Sequence, residues 1–213
     1  RTRREIIGTR KGVGRYEITV EGRAAHAGVE PEMGRSALHE LAHQIIALQA
    51  LNSPETGTTV NVCMARSGVA VNVIPPLATA TIDVRVMNAG EADRIDSAIR
   101  AQAERTVVPD VRCTVTGGFN RPPLEKTATS QKLIAVTQEI ARSLGYELTE
   151  IVMGGGSDGN FTAALGIPTL DGMGPDGGFS HSEDEFLELS SIWERLAILV
   201  RTIEHLSEKG LPE

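Results

Sequence analysis

The sequence predicts a mixed α/β protein in two parts, a ferredoxin-like domain over residues 1–118 and a second α/β segment over residues 119–213. Two observations indicate this. In the first part, strands with alternating apolar residues and helical apolar stripes follow one another in the order β-α-β-β-α-β. In the second part, short apolar strands alternate with helices, which is typical of layered α/β structures.

The composition agrees with a globular chain. Of the 213 residues, 40% are hydrophobic and 23% are charged, which is close to the usual values for globular domains. No apolar run reaches the ~20 residues that a membrane-spanning helix needs. The formal net charge of −7 argues against a nucleic-acid partner held mainly through its phosphates. No signal peptide is visible and the chain begins without Met, so we expect a fragment whose compartment stays undetermined.

Four strands are predicted in the first part from period-two alternation of apolar residues. Their apolar positions are Tyr16, Ile18 and Val20; Val60, Val62 and Met64; Ala78, Ala80, Ile82, Val84 and Val86; and Val111, Cys113 and Val115. The two cysteines, Cys63 and Cys113, both fall in these strands. We expect them to be buried free thiols, because two cysteines do not make a disulfide framework.

Two helices are predicted between these strands. Their apolar stripes are Leu38, Leu41, Ile45 and Leu48 in the first helix, and Ile95, Ala98 and Ile99 in the second. The first stripe has the 3-4-3 spacing of an amphipathic helix, and the second is weaker. In the expected topology both helices cover one face of the four-stranded sheet, which leaves the other face free to meet a partner.

The second part shows shorter patterns. They predict a helix over residues 130–144, a strand over 150–153, a short helix ending at 165, a strand over 167–170, and a long helix over 189–206. Two short strands in about 95 residues give a sheet with too little to pack against. We therefore infer that this part completes a larger sheet supplied by residues absent from the chain.

The first helix contains an H-E-x-x-H motif made by His39, Glu40 and His43. On a helix such a motif can hold zinc between the two imidazoles while the glutamate activates water. The extended pattern fails here, because Ile46 and Gln49 occupy the positions of its glycine and third histidine. We expect two solvent-side histidines and keep a zincin-type metalloprotease as an alternative.

A second set of polar residues lies in the predicted loops and strand ends of the first part. His26 is flanked by small residues, which let its imidazole approach a ligand closely. Asn72 precedes a segment that prolines hold extended. Arg85 and Arg121 are candidate carboxylate contacts, because the planar guanidinium fork fits a carboxylate. An ordinary ion pair of Arg85 with Asp83 and a solvated loop charge at Arg121 are the alternatives.

Two glycine-rich loops of the second part add further candidates. Gly155, Gly156 and Ser157 lie between a predicted strand and helix, where backbone N–H groups could hold an anion. The Walker lysine and the nucleotide-binding fingerprint are absent, which argues against a nucleotide ligand. His181 follows the second loop, where a lone histidine is more often unremarkable than a metal ligand.

Taken together and in order, these pieces resemble one family, the dinuclear zinc amidohydrolases and exopeptidases. This family includes glutamate carboxypeptidase, succinyl-diaminopimelate desuccinylase, acetylornithine deacetylase and aminoacylase, and the glutamate carboxypeptidase branch looks nearest. Each motif is short, but their joint order and spacing make the resemblance specific. The motifs are E-G-R-A-A-H-A-G at 21–28, N-V-I-P at 72–75, D-V-R at 83–85, G-G-G-S-D at 154–158 and F-S-H-S at 179–182, and P-E-M-G at 31–34 and N-R-P at 120–122 point to the nearest branch.

The resemblance implies a role for each part and each candidate residue. Residues 1–118 would be the family's lid, or dimerisation, domain, and residues 119–213 the C-terminal half of its catalytic domain, whose N-terminal half is absent. His181 would ligate one of two zinc ions. His26 would reach the active site of the partner subunit and stabilise the tetrahedral oxyanion. The residues that would hold the substrate carboxylate or line the pocket are Asn72, Arg85, Arg121, Gly155, Gly156 and Ser157.

The implied activity is zinc-dependent hydrolysis of the amide bond of a peptidyl or N-acyl amino acid with a free carboxylate, by a homodimer paired through the lid. Of the family's zinc ligands only His181 is present, whereas a catalytic zinc needs about three protein ligands. We therefore expect the chain alone to be inactive and to bind no catalytic zinc tightly. A non-catalytic dimerisation or binding module remains an alternative, as does an N-carbamoyl amino acid amidohydrolase within the family. Neither a nucleic acid nor a membrane is an expected partner.

Overall fold

The computed structural model describes residues 4–211, which divide into two compact units. One unit is Lys11–Pro123, and the other combines residues 4–10 with residues 124–211. The sequence prediction placed a single boundary after residue 118. The structure differs because strand β1 (Glu5–Arg10) pairs in parallel with a strand of the C-terminal part. Within the described range, no helix has both the length and the apolar character needed to cross a bilayer.

The Lys11–Pro123 unit contains a four-stranded antiparallel sheet in the order β3-β4-β2-β5. Helix α1 follows β2, and helix α2 follows β4, so the element order is β-α-β-β-α-β. This order and these strand directions are those of the ferredoxin-like unit. The elements are β2 (Gly12–Glu21), α1 (Ala37–Gln49), β3 (Thr59–Ser67), β4 (Leu77–Val86), α2 (Ala89–Ala103) and β5 (Arg112–Arg121).

Both helices pack on one face of this sheet. Alternate residues of β2 and β4 point to that face, because successive side chains of a strand leave opposite sides of the sheet. The fully or nearly fully buried positions are Tyr16, Ile18, Val20, Ala78, Ala80, Ile82, Val84 and Val86, joined by Leu41, Leu48, Ile95 and Ile99 from the helices. The period-two pattern therefore gave the correct buried face for these two strands.

Helix α1 begins at Ser36, whose hydroxyl accepts a hydrogen bond from the His39 backbone N–H at 3.1 Å. Its buried face is rotated from the predicted apolar stripe. Leu38 is 48% exposed, whereas Glu40 and Gln44 are fully buried. The prediction failed here because polar side chains can enter a core when partners elsewhere in the chain satisfy them.

Strand β3 departs from its predicted alternation at Cys63. Its pairing with β4 runs from Val62 opposite Ile82 directly to Met64 opposite Thr81, which is an irregularity of the β-bulge type. The side chains that follow change face, so that Met64 is 52% exposed. Cys63 is exposed as well, and the expectation that it is buried was wrong. Cys113 on β5 is half-buried and packs against the core.

The other unit contains two helices and a helical turn around a two-stranded parallel sheet of β1 and β6. The remaining elements are α3 (Ala128–Ser143), β6 (Thr149–Met153), α4 (Gly159–Ala164), the short hairpin strands β7 (Gly177–Gly178) and β8 (Phe186–Leu187), and α5 (Leu189–Lys209). The strand predicted over residues 167–170 is not formed, and only the next residue, Asp171, makes an isolated bridge to Ile7.

Helix α5 buries mainly polar residues and leaves much of its apolar surface exposed. Its buried residues are Ser191, Arg195, Ile198 and Thr202. The apolar residues left exposed are Leu189, Trp193, Leu196, Leu199, Val200 and Ile203, of which Trp193 is 75% exposed. A contiguous apolar face of this kind usually marks a surface that another structural layer or a partner covers.

Candidate functional site

His26 lies in the loop between β2 and α1, where backbone hydrogen bonds join it to the segment before β4. The Ala27 N–H donates to the Asn72 carbonyl and the Ile74 N–H to the Ala25 carbonyl, both at 2.9 Å. His26 and Val73 form an isolated antiparallel bridge between these hydrogen bonds. The two segments thus bring His26 and Asn72 together at the end of the sheet where β2 ends and β4 begins, and both side chains are exposed.

The imidazole of His26 has one ring nitrogen engaged. The Gly28 backbone N–H donates to Nδ1 of His26 at 3.1 Å. A neutral imidazole carries one proton, so a ring that accepts at Nδ1 holds its proton on Nε2. His26 therefore offers an exposed N–H donor at its outer edge, which is the type of group that stabilises an oxyanion in amide hydrolysis.

Arg85 and Arg121 lie at the opposite end of the same sheet. Arg85 on β4 and Arg121 on β5 are both paired with Val13 of the intervening strand β2. Residues paired across strands share a face, so the two arginines leave the sheet on one side, with Cα atoms two strand spacings, roughly 10 Å, apart. The structure thus brings these two candidates together.

The guanidinium of Arg85 is already engaged within its own strand. Its Nε and Nη2 donate to the two carboxylate oxygens of Asp83 at 2.8 and 2.9 Å. This is the ion pair that the sequence left open as an alternative. The hydrogen bonds that Arg85 donates to Asp83 raise the pKa of Arg85 above its usual value. A substrate carboxylate would have to compete with Asp83 or bind the N–H groups of Arg85 that do not donate to Asp83.

The two pairs of candidates are far apart within one chain. Eight residue steps of β2 separate Val13, beside the arginines, from Glu21, which precedes the His26 loop. At ~3.4 Å per residue this separation is about 27 Å. One small ligand cannot contact both pairs in the same protomer.

In the other unit, the glycine-rich loop before α4 is held by two residues that the sequence analysis missed. Nη1 of Arg10 donates to the Gly155 carbonyl at 2.8 Å, and Nε of Arg10 donates to the Asp171 carboxylate at 2.7 Å. The Ser157 hydroxyl also hydrogen-bonds to Asp171, and Gly156 lies between these two contacts in the chain. The available signal for Asp171 was its position directly after the apolar run of residues 167–170.

The charge of Asp171 is stabilised by these contacts. Burial by itself would raise the pKa of the Asp171 carboxyl, but hydrogen bonds from Ser157, Arg10 and the Gly172 backbone outweigh burial and lower it below its usual value. The anionic carboxylate therefore fixes the loop that carries Gly155, Gly156 and Ser157.

His181 lies in the connection between the hairpin strands β7 and β8 and is exposed. Its φ of 68° and the φ of 55° at Phe179 are in the left-handed region that residues with a Cβ seldom adopt. The His181 backbone N–H donates to the Glu185 carboxylate at 3.2 Å. Strained backbone of this kind often occurs at functional sites.

The described residues place no set of metal ligands around His181. Among residues 4–211, no three or more His, Cys, Asp and Glu side chains are grouped so that they could hold a metal ion. A catalytic zinc takes about three protein ligands, so His181 does not suffice. A site that uses His181 would need ligands from outside the described chain.

The H-E-x-x-H helix is not arranged as a metalloprotease centre. The Glu40 carboxylate is fully buried, and its Oε2 accepts hydrogen bonds from the N–H groups of Val107 at 2.8 Å and Val108 at 2.7 Å. Its Oε1 accepts from the Gln44 amide at 2.7 Å. A carboxylate fixed in the core cannot activate water on the exposed side of α1, where the two histidines lie. The structure therefore contradicts the zincin alternative.

Comparisons with known proteins identify relatives over almost the whole chain. Residues 8–111 match the family described as the peptidase dimerisation domain. Carboxypeptidase G2 from Pseudomonas sp. (strain RS-16) is 29% identical over 207 residues, which cover 94% of this chain and 48% of that protein. The chain thus spans about half the length of this curated relative.

Solved structures of peptidases share the fold. Aminopeptidase PepT from Bacillus cereus ATCC 10987 matches with a TM-score of 0.80 at 23% identity, covering 98% of this chain and 55% of that one. A tripeptidase from Staphylococcus aureus matches with a TM-score of 0.79 at 21% identity and the same two coverages, 98% and 55%. These similarities extend across both units of the chain.

Proposed function

We propose that the chain is part of a zinc-dependent, carboxypeptidase-like hydrolase, because residues 8–111 match the family described as the peptidase dimerisation domain and nearly the whole chain is similar to carboxypeptidase G2. The complete enzyme would cleave the amide bond of a peptidyl or N-acyl amino acid that has a free carboxylate. The observation that carries this proposal is the extent of the similarity to carboxypeptidase G2, which includes nearly the whole chain and therefore both units.

The distribution of the candidate residues supports a dimeric site. His26 and Asn72 lie at one end of the sheet, and Arg85 and Arg121 lie at the other, about 27 Å away along β2. A small substrate that meets both pairs must take them from two protomers. In this arrangement the Nε2–H of His26 from one protomer stabilises the oxyanion, while an arginine of the other binds the substrate carboxylate.

The metal requirement extends beyond this chain. We propose that the complete enzyme holds two zinc ions, with His181 as one ligand and with the other ligands outside residues 4–211. The exposed apolar face of α5 supports a further layer of protein against this unit. The isolated chain is accordingly proposed to be inactive, and Gly155, Gly156 and Ser157 are proposed to line the substrate pocket of the complete enzyme.

Mixing two inactive variants of the complete protein tests the proposal. One carries His26→Ala and the other Arg121→Ala, and each alone should lose most activity against N-acyl and peptidyl amino acids. Random exchange of protomers makes half of the dimers mixed, and each mixed dimer has one intact site if His26 acts in trans. Activity should then recover to roughly 25% of the wild-type value in a dimer of two equivalent sites.

Three controls give the result its meaning. The recovered activity should disappear with a metal chelator and should be much lower on substrates whose carboxylate is amidated. Two differently tagged His26→Ala preparations, mixed in the same way, should recover nothing. If the mixed variants form dimers but recover no activity, the shared site is refuted; if the wild-type complete protein hydrolyses no member of the panel, a non-catalytic binding module replaces the hydrolase.

A further inference from the structure

His39, which is exposed, and His43, which is half-buried, form a pair on α1 that the proposed hydrolase does not use. Nε2 of His39 lies 3.1 Å from Nε2 of His43, and the ring centroids are 4.8 Å apart. The residues are four positions apart on a helix, which places them on the same face one turn from each other. The Glu40 carboxylate between them in sequence forms its hydrogen bonds with Gln44, Val107 and Val108 in the core.

The short distance between the two Nε2 atoms requires a proton or a cation between them. Two imidazole lone pairs cannot face each other at this distance without a shared proton or cation between them, so one Nε2 donates its hydrogen to the other. Two Zn–N bonds of 2.0–2.1 Å, at angles between 90° and the tetrahedral value, hold their nitrogens about 2.8–3.4 Å apart. The separation of 3.1 Å between these nitrogens therefore already equals that of two ligands of one metal ion.

We propose that His39 and His43 chelate one borderline divalent transition-metal ion, such as Cu²⁺, Ni²⁺ or Zn²⁺, on the surface of the dimerisation domain. On binding, the ring that donates at Nε2 shifts its proton to Nδ1, so that both neutral rings carry Nδ1–H and offer their Nε2 lone pairs to the metal. Imidazole nitrogen suits these ions, and affinity for such a site should be highest for Cu²⁺. The inference does not depend on the proposed hydrolase.

This site binds a metal without hydrolysing anything. Two protein ligands leave the other coordination positions to water, and the glutamate of the motif is bound to Val107 and Val108 in the core. The ion would instead cross-link two turns of α1. Because the metal binds the folded helix and not the unfolded chain, it should raise the midpoint of thermal unfolding as its concentration rises.

Calorimetric titration of the chelator-treated chain with CuCl₂ at pH 7.5, in a buffer that does not bind metals, tests the inference. We expect one ion per chain and a higher unfolding temperature. His39→Ala and His43→Ala should each weaken this binding at least tenfold, with unchanged helix content by circular dichroism. His205→Ala, which removes a single imidazole from another helix, should change neither affinity nor stoichiometry.

A matched rearrangement separates spacing from composition. The double substitution Leu38→His with His39→Leu keeps every residue count but places the histidines five positions apart, about 140° around the helix. It should bind as weakly as the single variants. Unchanged binding by the His39→Ala variant or by the rearranged chain would overturn the proposal. So would a site that disappears with His26→Ala or His181→Ala instead.

Discussion

Substitution of the buried Glu40 by alanine should strongly destabilise the Lys11–Pro123 unit. In Glu40→Ala the buried N–H of Val108 and the Gln44 amide lose an acceptor, and the N–H of Val107 loses one in a partly exposed position. A buried donor left unsatisfied costs about 1–3 kcal/mol, and the deleted side chain leaves a cavity as well. We expect the free energy of unfolding to fall by about 3–5 kcal/mol, which is a large share of the 5–15 kcal/mol that is typical of folded domains.

Urea unfolding followed by far-ultraviolet circular dichroism measures this loss. The single tryptophan, Trp193, lies in the other unit and reports separately by fluorescence, so a change confined to the Lys11–Pro123 unit can be recognised. Glu204→Ala is the matched control, because it removes an exposed carboxylate from an ion pair with Arg201 and should cost below about 0.5 kcal/mol. Wild-type stability in Glu40→Ala would refute the reasoning that this carboxylate organises the segment before β5.

Three further outcomes are expected. With a disulfide reagent at pH 8, the exposed Cys63 should react rapidly, whereas Cys113 should react slowly until urea is added. The reason is that burial and, second, the charge of Glu40 raise the pKa of Cys113 to about 11. Equal rates would contradict this, and Cys63→Ser should remove the fast phase. Since the folded-state pKa of Cys113 is raised, its contribution to stability is complete below the unfolded thiol pKa of about 8.5 and falls as the pH rises toward 11. In the complete enzyme, Arg85→Lys should reduce kcat/KM more for substrates with a free carboxylate than for amidated ones, because the fork is lost. Equal losses on the two kinds of substrate would indicate that Arg85 only forms its ion pair with Asp83 and does not bind the substrate carboxylate.

The sequence predicted those parts of the fold in which neighbouring residues decide the outcome. The alternation in β2 and β4 gave the correct face because each buried residue is opposite another, as with Ile18 and Ala80. Helix α1 was placed correctly, but its buried side was not, because the donors that satisfy Glu40 come from residues 107 and 108. Such distant hydrogen bonds leave no trace in a helical periodicity.

The pairing of β1 could not be predicted from local patterns either. Its partner, β6, lies far along the chain, and the intervening residues form a complete unit of their own. The bulge at Cys63 is a similar case, because the residue itself fits an ordinary strand. Where one residue is inserted without a glycine or proline to mark it, only the partner strand shows that the register has moved.

The candidate site was found residue by residue, whereas its arrangement came from the structure. Loop and strand motifs identified His26, Asn72, Arg85 and Arg121, but not that they form two groups at opposite ends of one sheet. That grouping depends on the strand order β3-β4-β2-β5, in which β2 separates the strands of the two arginines. The support of the glycine loop by Arg10 was missed for the same reason, since its contacts are 145 and 161 residues away in sequence.

The contrast between the two units supports the proposal that the chain is part of a larger protein. In the Lys11–Pro123 unit, apolar side chains of the sheet and of both helices pack against each other and are buried in one core. In the other unit, α5 buries residues such as Arg195 and Thr202 and turns Trp193 and Ile203 outward. A helix that is buried on one side and apolar on the other is stable between two layers. We propose that the layer covering this face also supplies the other metal ligands that a site at His181 requires.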